Sequence, residues 1–485
     1  MYKIKVKSED FIVEEAAGLP FREDGNFCVY LLKKRGWNTA DVLKRLSKRF
    51  SIPYEDLSYG GKKDKYALTT QYITIARQHV GKIVLAIPPS FKGKGRKGVH
   101  KNADAQGMPV APAPEAENLG DENYSLEFVG YMDRPMGPDL LKGNGFQIIV
   151  RNLADGELKQ ALREIERVRL DGYPNYFDDQ RFGSFDARQG FIAEKILKKH
   201  YNGALKLYFS GIHPEDSKEE KEHRKFFYEN WGNWQECLKG AASKFEKEAF
   251  RYLDKHPSGF VPILQRISHE KMVLFFSAYQ SHLWNELLRK IVSSVVGNDA
   301  TYQGFKSSGG ETDLPLQHNT ASLSSQGEAS GFAPENPKTA GWHGQISLSA
   351  PCLKTSKGIA GDYLFYTQID DELKGYLGSL VIPMPASNIR MPDAFTKTLY
   401  SEVLRDNGVK SAQFNIRKLR QAFFKGIERR AVVTPEDLFV DSAKDEIYHG
   451  KKKLVLRFAL PRGCYGTMFI KRLFSGIFVL STPSK

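Results

Sequence analysis

The segment from residue 60 to 72 contains the side chains best suited to chemistry. It reads GGKKDKYALTTQY and places one carboxylate, Asp64, among Lys62, Lys63 and Lys65. Such a charge cluster is usually a solvated turn, and the segment taken alone favours that interpretation. The functional alternative is a carboxylate that is half-buried at a strand edge, where burial raises its pKa and nearby cations lower it. A basic partner would then keep Asp64 ionised and nucleophilic.

A second segment, GYPNYFDDQRFGSFD at 172–186, combines aromatic rings with amides and a guanidinium. Aromatic rings stack on unpaired bases, and amide and guanidinium groups bind base edges and phosphates. The same rings would also serve as core residues beneath a loop, and the segment alone favours the core. The polar candidates for RNA contact are Asn175, Gln180 and Arg181.

Glycines mark three further segments. In KGNGFQIIVRN at 142–152, Asn144 and Phe146 are expected to open a strand. The segment LPRGCYGTMFIKRL at 460–473 is predicted to be a strand, a turn and a helix, whose glycines permit another part of the chain to approach closely. The string GKGRKG at 93–98 matches a dinucleotide-binding pattern, but it lacks the strand before it and the helix after it that such a site needs.

Composition bounds the class of protein. A chain of 485 residues is too long for one ordinary domain, so two or three domains are expected. A net charge of +14 suits a polyanionic partner such as nucleic acid. The scattered cysteines and histidines have no metal-ligand spacing, so neither a metal nor a disulfide framework is predicted. With no apolar run of membrane-spanning length and no signal peptide at its start, the sequence predicts a cytoplasmic protein that contacts no membrane.

Hydrophobic periodicity predicts an α+β protein. Two-residue alternation is typical of half-buried strands, and a spacing of three to four residues is typical of amphipathic helices. The predicted strands are 2–15, 26–34, 69–76, 146–152 and 451–460. The predicted helices are 38–50, 156–170, much of 190–295, and 464–474. The first is expected to be capped by Asn38 or Thr39 and to bury Val42, Leu43, Leu46 and Phe50.

Two long segments contain little that could be buried. Residues 91–122 are rich in Gly, Lys, Pro and Ala, and residues 303–345 are rich in Gly, Ser, Asn and Pro. Both are predicted to be flexible excursions rather than domains, because such compositions do not form a packed core.

Taken together in chain order, five motifs resemble the TruD family of tRNA pseudouridine synthases. Any one of them is weak evidence, but five in register along the whole chain are a specific signal. The opening KVKSEDFIVEE also resembles the start of that family, whereas segments 91–122 and 303–345 exceed its compact members. The motifs are GxKDKxAxTxQ at 61–71, KGNxF at 142–146, PNYFxxQRFG at 174–183, SAYQSxLWN at 277–285 and LPRGxYxTM at 460–468.

The resemblance implies a fold and a domain organisation. It implies a pseudouridine synthase catalytic domain, with a mixed antiparallel sheet flanked by helices, interrupted by a mostly helical TRUD domain. The catalytic domain is expected at 1–172 and 429–485, and the TRUD domain at 173–428.

The resemblance also implies a reaction and its residues. The expected reaction converts a uridine of tRNA, most specifically uridine 13, into pseudouridine without a cofactor or an obligate protein partner. By motif, Asp64 is expected to be the catalytic residue, Lys5 its ion-pair partner, Phe146 the ring that stacks on the base, and Asn144 part of the same pocket. Lys63, Asn175, Gln180 and Arg181 are further candidates for substrate contact. The alternative is a catalytically silent tRNA-binding or tRNA-folding protein on the same scaffold.

Overall fold

The structure is a computed structural model that describes residues 1–79, 123–213, 216–297, 353–416, 419, 424 and 426–476. Both predicted excursions, 91–122 and 303–345, and the GKGRKG string lie outside these residues. The chain divides into two compact units. One is Met1–Asn175 with Val433–Lys485, and the other is Tyr176–Val432. The identification of these units with a catalytic and a TRUD domain, at 1–172 with 429–485 and at 173–428, stays a prediction.

Strands and helices are numbered in chain order. The strands are β1 (Phe11–Ala17), β2 (Phe27–Arg35), β3 (Leu57–Tyr59), β4 (Leu68–Ala76), β5 (Tyr124–Met132), β6 (Leu141–Leu153), β7 (Tyr173–Pro174), β8 (Leu353–Ser356), β9 (Tyr363–Tyr366), β10 (Val381–Pro383), β11 (Glu428–Arg430), β12 (Val432–Val433), β13 (Glu436–Lys444) and β14 (Lys452–Pro461). The helices are α1 (Thr39–Phe50), α2 (Asp155–Asp171), α3 (Ile192–Leu197), α4 (Tyr201–Ser210), α5 (Lys218–Glu229), α6 (Trp234–Gly240), α7 (Lys244–Lys255), α8 (Phe260–Leu264), α9 (His269–Val296), α10 (Asp371–Ser379), α11 (Ala394–Asp406) and α12 (Gly466–Leu473).

A mixed sheet forms the centre of the first unit. Its order is β13-β14-β6-β1-β4-β2-β5, and β3 also pairs with β4. β1 runs parallel to β4, while the other neighbouring pairs of the sheet are antiparallel. The α+β class predicted from periodicity is therefore confirmed, and the sheet brings strands from both ends of the chain side by side.

Helix α1 packs on the β2 and β4 part of this sheet. Asn38 occupies its N-cap position, but the Asn38 side chain makes no capping bond and instead donates to Asp41. The four apolar residues predicted to face the core are all buried, and they belong to the same hydrophobic cluster as Tyr30 and Ile73 of the sheet. Burying a large apolar side chain contributes about 1.5–3 kcal/mol, so this face secures the helix.

Helix α12 follows the last strand and packs beside α2. Phe469 of α12 meets Phe458 of β14 edge to face, with ring centroids 4.9 Å apart. A buried ion pair joins the two helices, since Arg472 Nη1 donates to Glu164 Oε2 at 2.6 Å. The predicted strand, turn and helix at the end of the chain are thus confirmed.

The second unit is mainly helical within its described residues. Seven helices, α3 to α9, lie between residues 192 and 296, as the sequence predicts for 190–295. The longest, α9, spans 28 residues and begins after Ser268, whose hydroxyl accepts a hydrogen bond from the Lys271 backbone N–H. Two short antiparallel pairs, β8 with β9 and β10 with β11, complete the unit.

Two local expectations are wrong. The first strand begins at Phe11 rather than at residue 2, because the segment before it makes only an isolated bridge between Lys3 and Arg151. Strand β6 begins at Leu141, so the predicted opening residues, Asn144 and Phe146, lie inside it.

Candidate active site

The register of the sheet places the candidate residues on one face. Directly paired residues on neighbouring strands point to the same side of a sheet. Lys34 pairs with Thr69, Thr69 with Val13, Val13 with Phe146, and Phe146 with Phe458. This row crosses five strands. In the adjacent row of the same face, Glu15 of β1 pairs with Asn144 of β6, two residues from Val13 and Phe146 respectively.

Asp64 lies in the loop between β3 and β4, above this face. Its backbone carbonyl accepts a hydrogen bond from Lys34 Nζ at 2.8 Å, and Lys34 Nζ also lies 3.4 Å from the carbonyl of Lys63. Lys34 is 1% exposed, and burial lowers its pKa to about 8, against the raising effect of nearby Asp64. A buried ammonium beneath the loop therefore holds the Asp64 backbone.

The Asp64 carboxylate is paired with Lys5. Asp64 Oδ2 accepts from Lys5 Nζ, and Asp64 Oδ1 accepts from the Tyr66 backbone N–H at 2.9 Å. The side chains of Lys5 and Asp64 are 23% and 13% exposed. Because an ionised carboxylate has about four lone-pair positions, each oxygen keeps one free for a further partner. The expected Lys5–Asp64 pair is therefore present in the structure.

The N-terminal segment positions Lys5. Lys3 exchanges two backbone hydrogen bonds with Arg151 of β6, at 2.8 and 3.0 Å. The backbone N–H of Lys7 donates to Asp10 Oδ2. Between these anchors, Lys5 adopts a φ of +57°, a conformation that costs a residue with a side chain of order 1 kcal/mol or more. The backbone therefore bends at Lys5. Its Nζ lies over the Phe11 ring and also donates to the Asp64 carboxylate.

Lys63 points away from solvent, into the same face of the sheet. Its Nζ lies 2.8 Å from Glu15 Oε1 and donates to Asn144 Oδ1 at 2.7 Å. The side chains of Lys63 and Glu15 are 7% and 0% exposed, and Glu15 Oε2 accepts from the Tyr72 backbone N–H at 2.9 Å. The Lys63 ammonium therefore has two protein partners, and its contact with substrate stays a prediction.

Two polar residues lock the start of the Asp64 loop. Thr39 Oγ1 donates to Gln71 Oε1 at 2.8 Å and accepts from the backbone N–H of Lys63 at 3.1 Å. Gln71 Nε2 donates to the carbonyl of Gly61 at 3.2 Å. Thr39 and Gln71 are both buried, so the loop is tied to α1 and to β4 at once.

Phe146 is 9% exposed. Phe458 stacks on one side of its ring, with centroids 5.3 Å apart and planes 18° apart, and Phe11 meets it edge-on. Gly466, the first residue of α12, allows the helix to approach, because a Cβ at Gly466 would lie 2.8 Å from Phe146 Cδ1. A base that stacks on Phe146 must therefore use the ring face opposite Phe458.

The remaining candidates lie in or near the segment at 174–183. Asn175 is buried, and Gln180 is exposed in a short 3-10 helix, Asp179–Phe182, of the second unit. Arg181 Nε donates to Ser281 Oγ at 3.3 Å. The rings of Tyr176, Phe177 and Phe182 are buried. This agrees with the alternative, left open by the sequence, that these rings are core residues.

Helix α9 holds Phe177 of this segment in place within the second unit. Asn285 Oδ1 accepts from the Phe177 backbone N–H at 2.9 Å, and Asn285 Nδ2 donates to the Phe177 carbonyl at 2.8 Å. The guanidinium carbon of Arg429 lies 4.1 Å from the centroid of the Phe177 ring. The motif at 277–285 therefore has a positioning role that its spacing does not reveal.

Sequence reasoning assigned no role to Glu15 or Lys34, and it treated Thr39 only as a possible helix cap and Gln71 only as a letter of the motif at 61–71. A signal existed for the first two, because Glu15 continues the buried alternation of Phe11 and Val13, and Lys34 continues that of its own strand. A charged residue in a buried alternation needs a partner. No such signal identifies the partners of Thr39 and Gln71, because those partners are distant in sequence.

Within the described part of the chain, no cluster of three or more His, Cys, Asp or Glu side chains is arranged to hold a metal ion. No helix among these residues is both long and apolar enough to cross a membrane.

Known proteins are similar to this chain along almost its whole length. The family model described as tRNA pseudouridine synthase D (TruD) matches residues 2–89, 106–304 and 365–473. A "Probable tRNA pseudouridine synthase D 1" of Methanococcus maripaludis is 28% identical, over 98% of this chain and 99% of that protein. A "tRNA pseudouridine synthase D" of Leptospira interrogans is 26% identical, over 98% of this chain and 96% of that protein.

A solved structure is also similar. The crystal structure of the putative tRNA pseudouridine synthase D (TruD) from Methanosarcina mazei covers 97% of this chain, and this chain covers 92% of it, with a TM-score of 0.58. Its sequence is 21% identical to this chain, so this match supports the fold alone.

Proposed function

We propose that this chain, which belongs to the tRNA pseudouridine synthase D (TruD) family, converts uridine 13 of tRNA into pseudouridine with Asp64 as the catalytic carboxylate. Family membership makes the chain a tRNA pseudouridine synthase, an isomerase. The position of the uridine and the identity of the catalytic residue are the proposal. The observation that carries it is the Lys5–Asp64 ion pair, on the sheet face that also holds Phe146 and Asn144.

The chemistry needs few participants. The bond from N1 to C1′ breaks, the base turns over, C5 bonds to C1′, the C5 proton leaves and N1 gains a proton. All bonds are exchanged within one nucleotide, so one well-placed carboxylate can act on the sugar or the base. Lys5 supports this role because its ammonium donates to Asp64 Oδ2 and so orients the carboxylate.

The target uridine must leave the RNA stack to reach Asp64. Unstacking costs a few kcal/mol, which stacking on a protein ring and contacts with phosphates offset. We assign the stacking to the face of the Phe146 ring opposite Phe458. Asn175, Gln180 and Arg181 stay candidates for contact with the rest of the tRNA, and the net charge of +14 favours that partner.

The test is Asp64→Asn, which keeps the shape of the side chain and removes its charge. We expect a folded variant that binds tRNA within about tenfold of the parent, which is about 1.4 kcal/mol. It should form no detectable pseudouridine. The measurements are tritium release from tRNA labelled at C5 of uridine and filter binding at fixed salt, followed by chemical mapping of the modified position.

Asp41→Asn is the matched control, because Asp41 is an exposed carboxylate of the same unit. It should release tritium like the wild type. Wild-type tritium release from Asp64→Asn would remove Asp64 as the catalytic residue. Wild-type protein that binds tRNA but never releases tritium would favour the silent tRNA-binding alternative, and pseudouridine at another position would refute uridine 13.

A further inference from the structure

We propose that the buried ion pair of Glu15 and Lys63 fixes the Asn144 amide with its nitrogen outward, so that the site offers a hydrogen-bond donor to a carbonyl oxygen of the target uracil. This inference rests on the proposed function, since it names what the Asp64 site recognises. It assigns Glu15 and Lys63 as positioning residues and Asn144 as a residue that selects the base.

The chemistry of Lys63 determines which end of the Asn144 amide it meets. The oxygen and nitrogen of an amide are alike in shape, but an ammonium group has three donors and no acceptor. Only the amide oxygen can therefore lie 2.7 Å from Lys63 Nζ. The Asn144 Nδ2 group, which carries two donors and no acceptor, must point away from Lys63.

Lys63 is itself held in place. Its Nζ lies 2.8 Å from Glu15 Oε1, and both side chains are nearly or fully buried. Glu15 is anchored in turn by the Tyr72 backbone N–H on its other oxygen. Moving Lys63 away would leave a buried carboxylate without a countercharge, which is strongly unfavourable. The amide therefore has one stable orientation rather than two.

The outward nitrogen has no competing partner among the described residues. None of them accepts a hydrogen bond from Asn144 Nδ2, and this atom is not one of their buried, unpaired polar atoms. Asn144 lies two residues before Phe146 on the same strand and the same face. A base that stacks on Phe146 would turn its edge towards neighbouring polar groups, and Asn144 presents donors there.

Uracil has carbonyl oxygens at positions 2 and 4, whereas cytosine has an amino group, a donor, at position 4. A donor fixed opposite position 4 would accept uracil and oppose cytosine, because two donors would then face each other. Binding at position 2 would not discriminate between the two bases. Thio substitution at each position separately distinguishes a hydrogen bond to O2 from one to O4.

The first test uses tRNA transcripts that carry uridine, 2-thiouridine or 4-thiouridine at the modified position, in single-turnover assays. A sulfur accepts hydrogen bonds poorly, so we expect one of the two thio substitutions to slow the wild type by about 3- to 10-fold. This effect should disappear in Asn144→Ala and in Asn144→Asp, which keeps an acceptor for Lys63 but has no donor. Lys62→Met, which removes an exposed ammonium one residue from Lys63, should keep the full thio effect. An equal thio effect in the wild type and in Asn144→Ala would overturn the proposal, as would the absence of any thio effect in the wild type.

The second test does not depend on activity. Asn144→Ala is introduced into the wild type and into Glu15→Gln/Lys63→Met, which removes both buried charges together and so leaves no lone ion. We expect Asn144→Ala to lower the folding equilibrium constant by about 3- to 10-fold in the wild type and to change it little in the double variant. Equal effects in both backgrounds would refute the orientation by Lys63. If the wild type formed no pseudouridine on any tRNA, the proposed function would fail, and this comparison would still decide whether Lys63 holds the amide.

Discussion

Replacing Lys34 with Met should change how the stability of the first unit depends on pH. Lys34 is 1% exposed, and its ammonium donates to the backbone carbonyl of Asp64. Burial lowers its pKa to about 8, whereas an unfolded chain leaves a lysine near its ordinary value of about 10.4. Between these values the unfolded state binds more protons than the folded state, so the free energy of unfolding rises with pH.

The size of the effect follows from the two pKa values. From pH 7.5 to pH 9.5, Lys34 should add about 2 kcal/mol to the free energy of unfolding of the wild type. A methionine does not titrate, so Lys34→Met lacks this gain. The difference in unfolding free energy, wild type minus variant, should therefore increase by about 2 kcal/mol over the same pH range.

The assay is urea unfolding at several pH values, with hydrogen exchange of peptides from β2 and β4 to isolate the first unit. Lys33→Met is the matched control, because Lys33 is the neighbouring strand residue and its side chain is 54% exposed. Its difference from the wild type should not change over this range. A Lys34→Met difference that stays flat between pH 7.5 and 9.5 would refute the argument that burial holds the pKa of Lys34 near 8.

Two further predictions follow from charge and from packing. The affinity for tRNA should fall steeply as salt rises, with a slope of several units in a plot of log affinity against log salt concentration, because lysine and arginine contacts release counterions from phosphates. Filter binding at a series of salt concentrations measures this slope. A flat response would count against RNA as the partner. Gly466→Ala should lower the free energy of unfolding by about 1–3 kcal/mol and slow pseudouridine formation, because its Cβ would lie 2.8 Å from Phe146 Cδ1 and displace the ring. Gly156→Ala is the control, because Gly156 is at a helical position with open space around it. It should neither lower the free energy of unfolding nor slow pseudouridine formation.

Local periodicity predicted most of the elements because each is amphipathic on its own. Helix α1 buries the four apolar residues that its spacing indicates, and β2, β4 and α2 lie where alternation or helical spacing places them. The exception is instructive. Ile4 and Val6 alternate with lysines as strand residues do, yet they form no strand, because Lys5 between them adopts a φ of +57° and the pairing with β6 is limited to the bridge between Lys3 and Arg151.

Motifs and family resemblance identified Asp64, Lys5, Asn144 and Phe146 as candidates before any contact between them was known. Spacing alone could not pair them, because Lys5 and Asp64 lie 59 residues apart and Lys63 and Asn144 lie 81 apart. The register of β1 and β6 brings Asn144 and Phe146 to one face, and the segments before β1 and β4 place Lys5 and Asp64 beside it. Register depends on the partners that each strand finds.

The amino-acid sequence by itself determined the class of the fold, the amphipathic faces and a carboxylate surrounded by cations. The family resemblance anticipated the role of Lys5, but only the tertiary structure decided what Lys34 and Lys63 do. Lys5 meets the Asp64 carboxylate, Lys34 holds its backbone, and Lys63 turns inward to Glu15 and Asn144. The physical reason is that a lysine is the same flexible cation in every sequence context, and its role depends on the acceptors and the burial that the folded chain places around it.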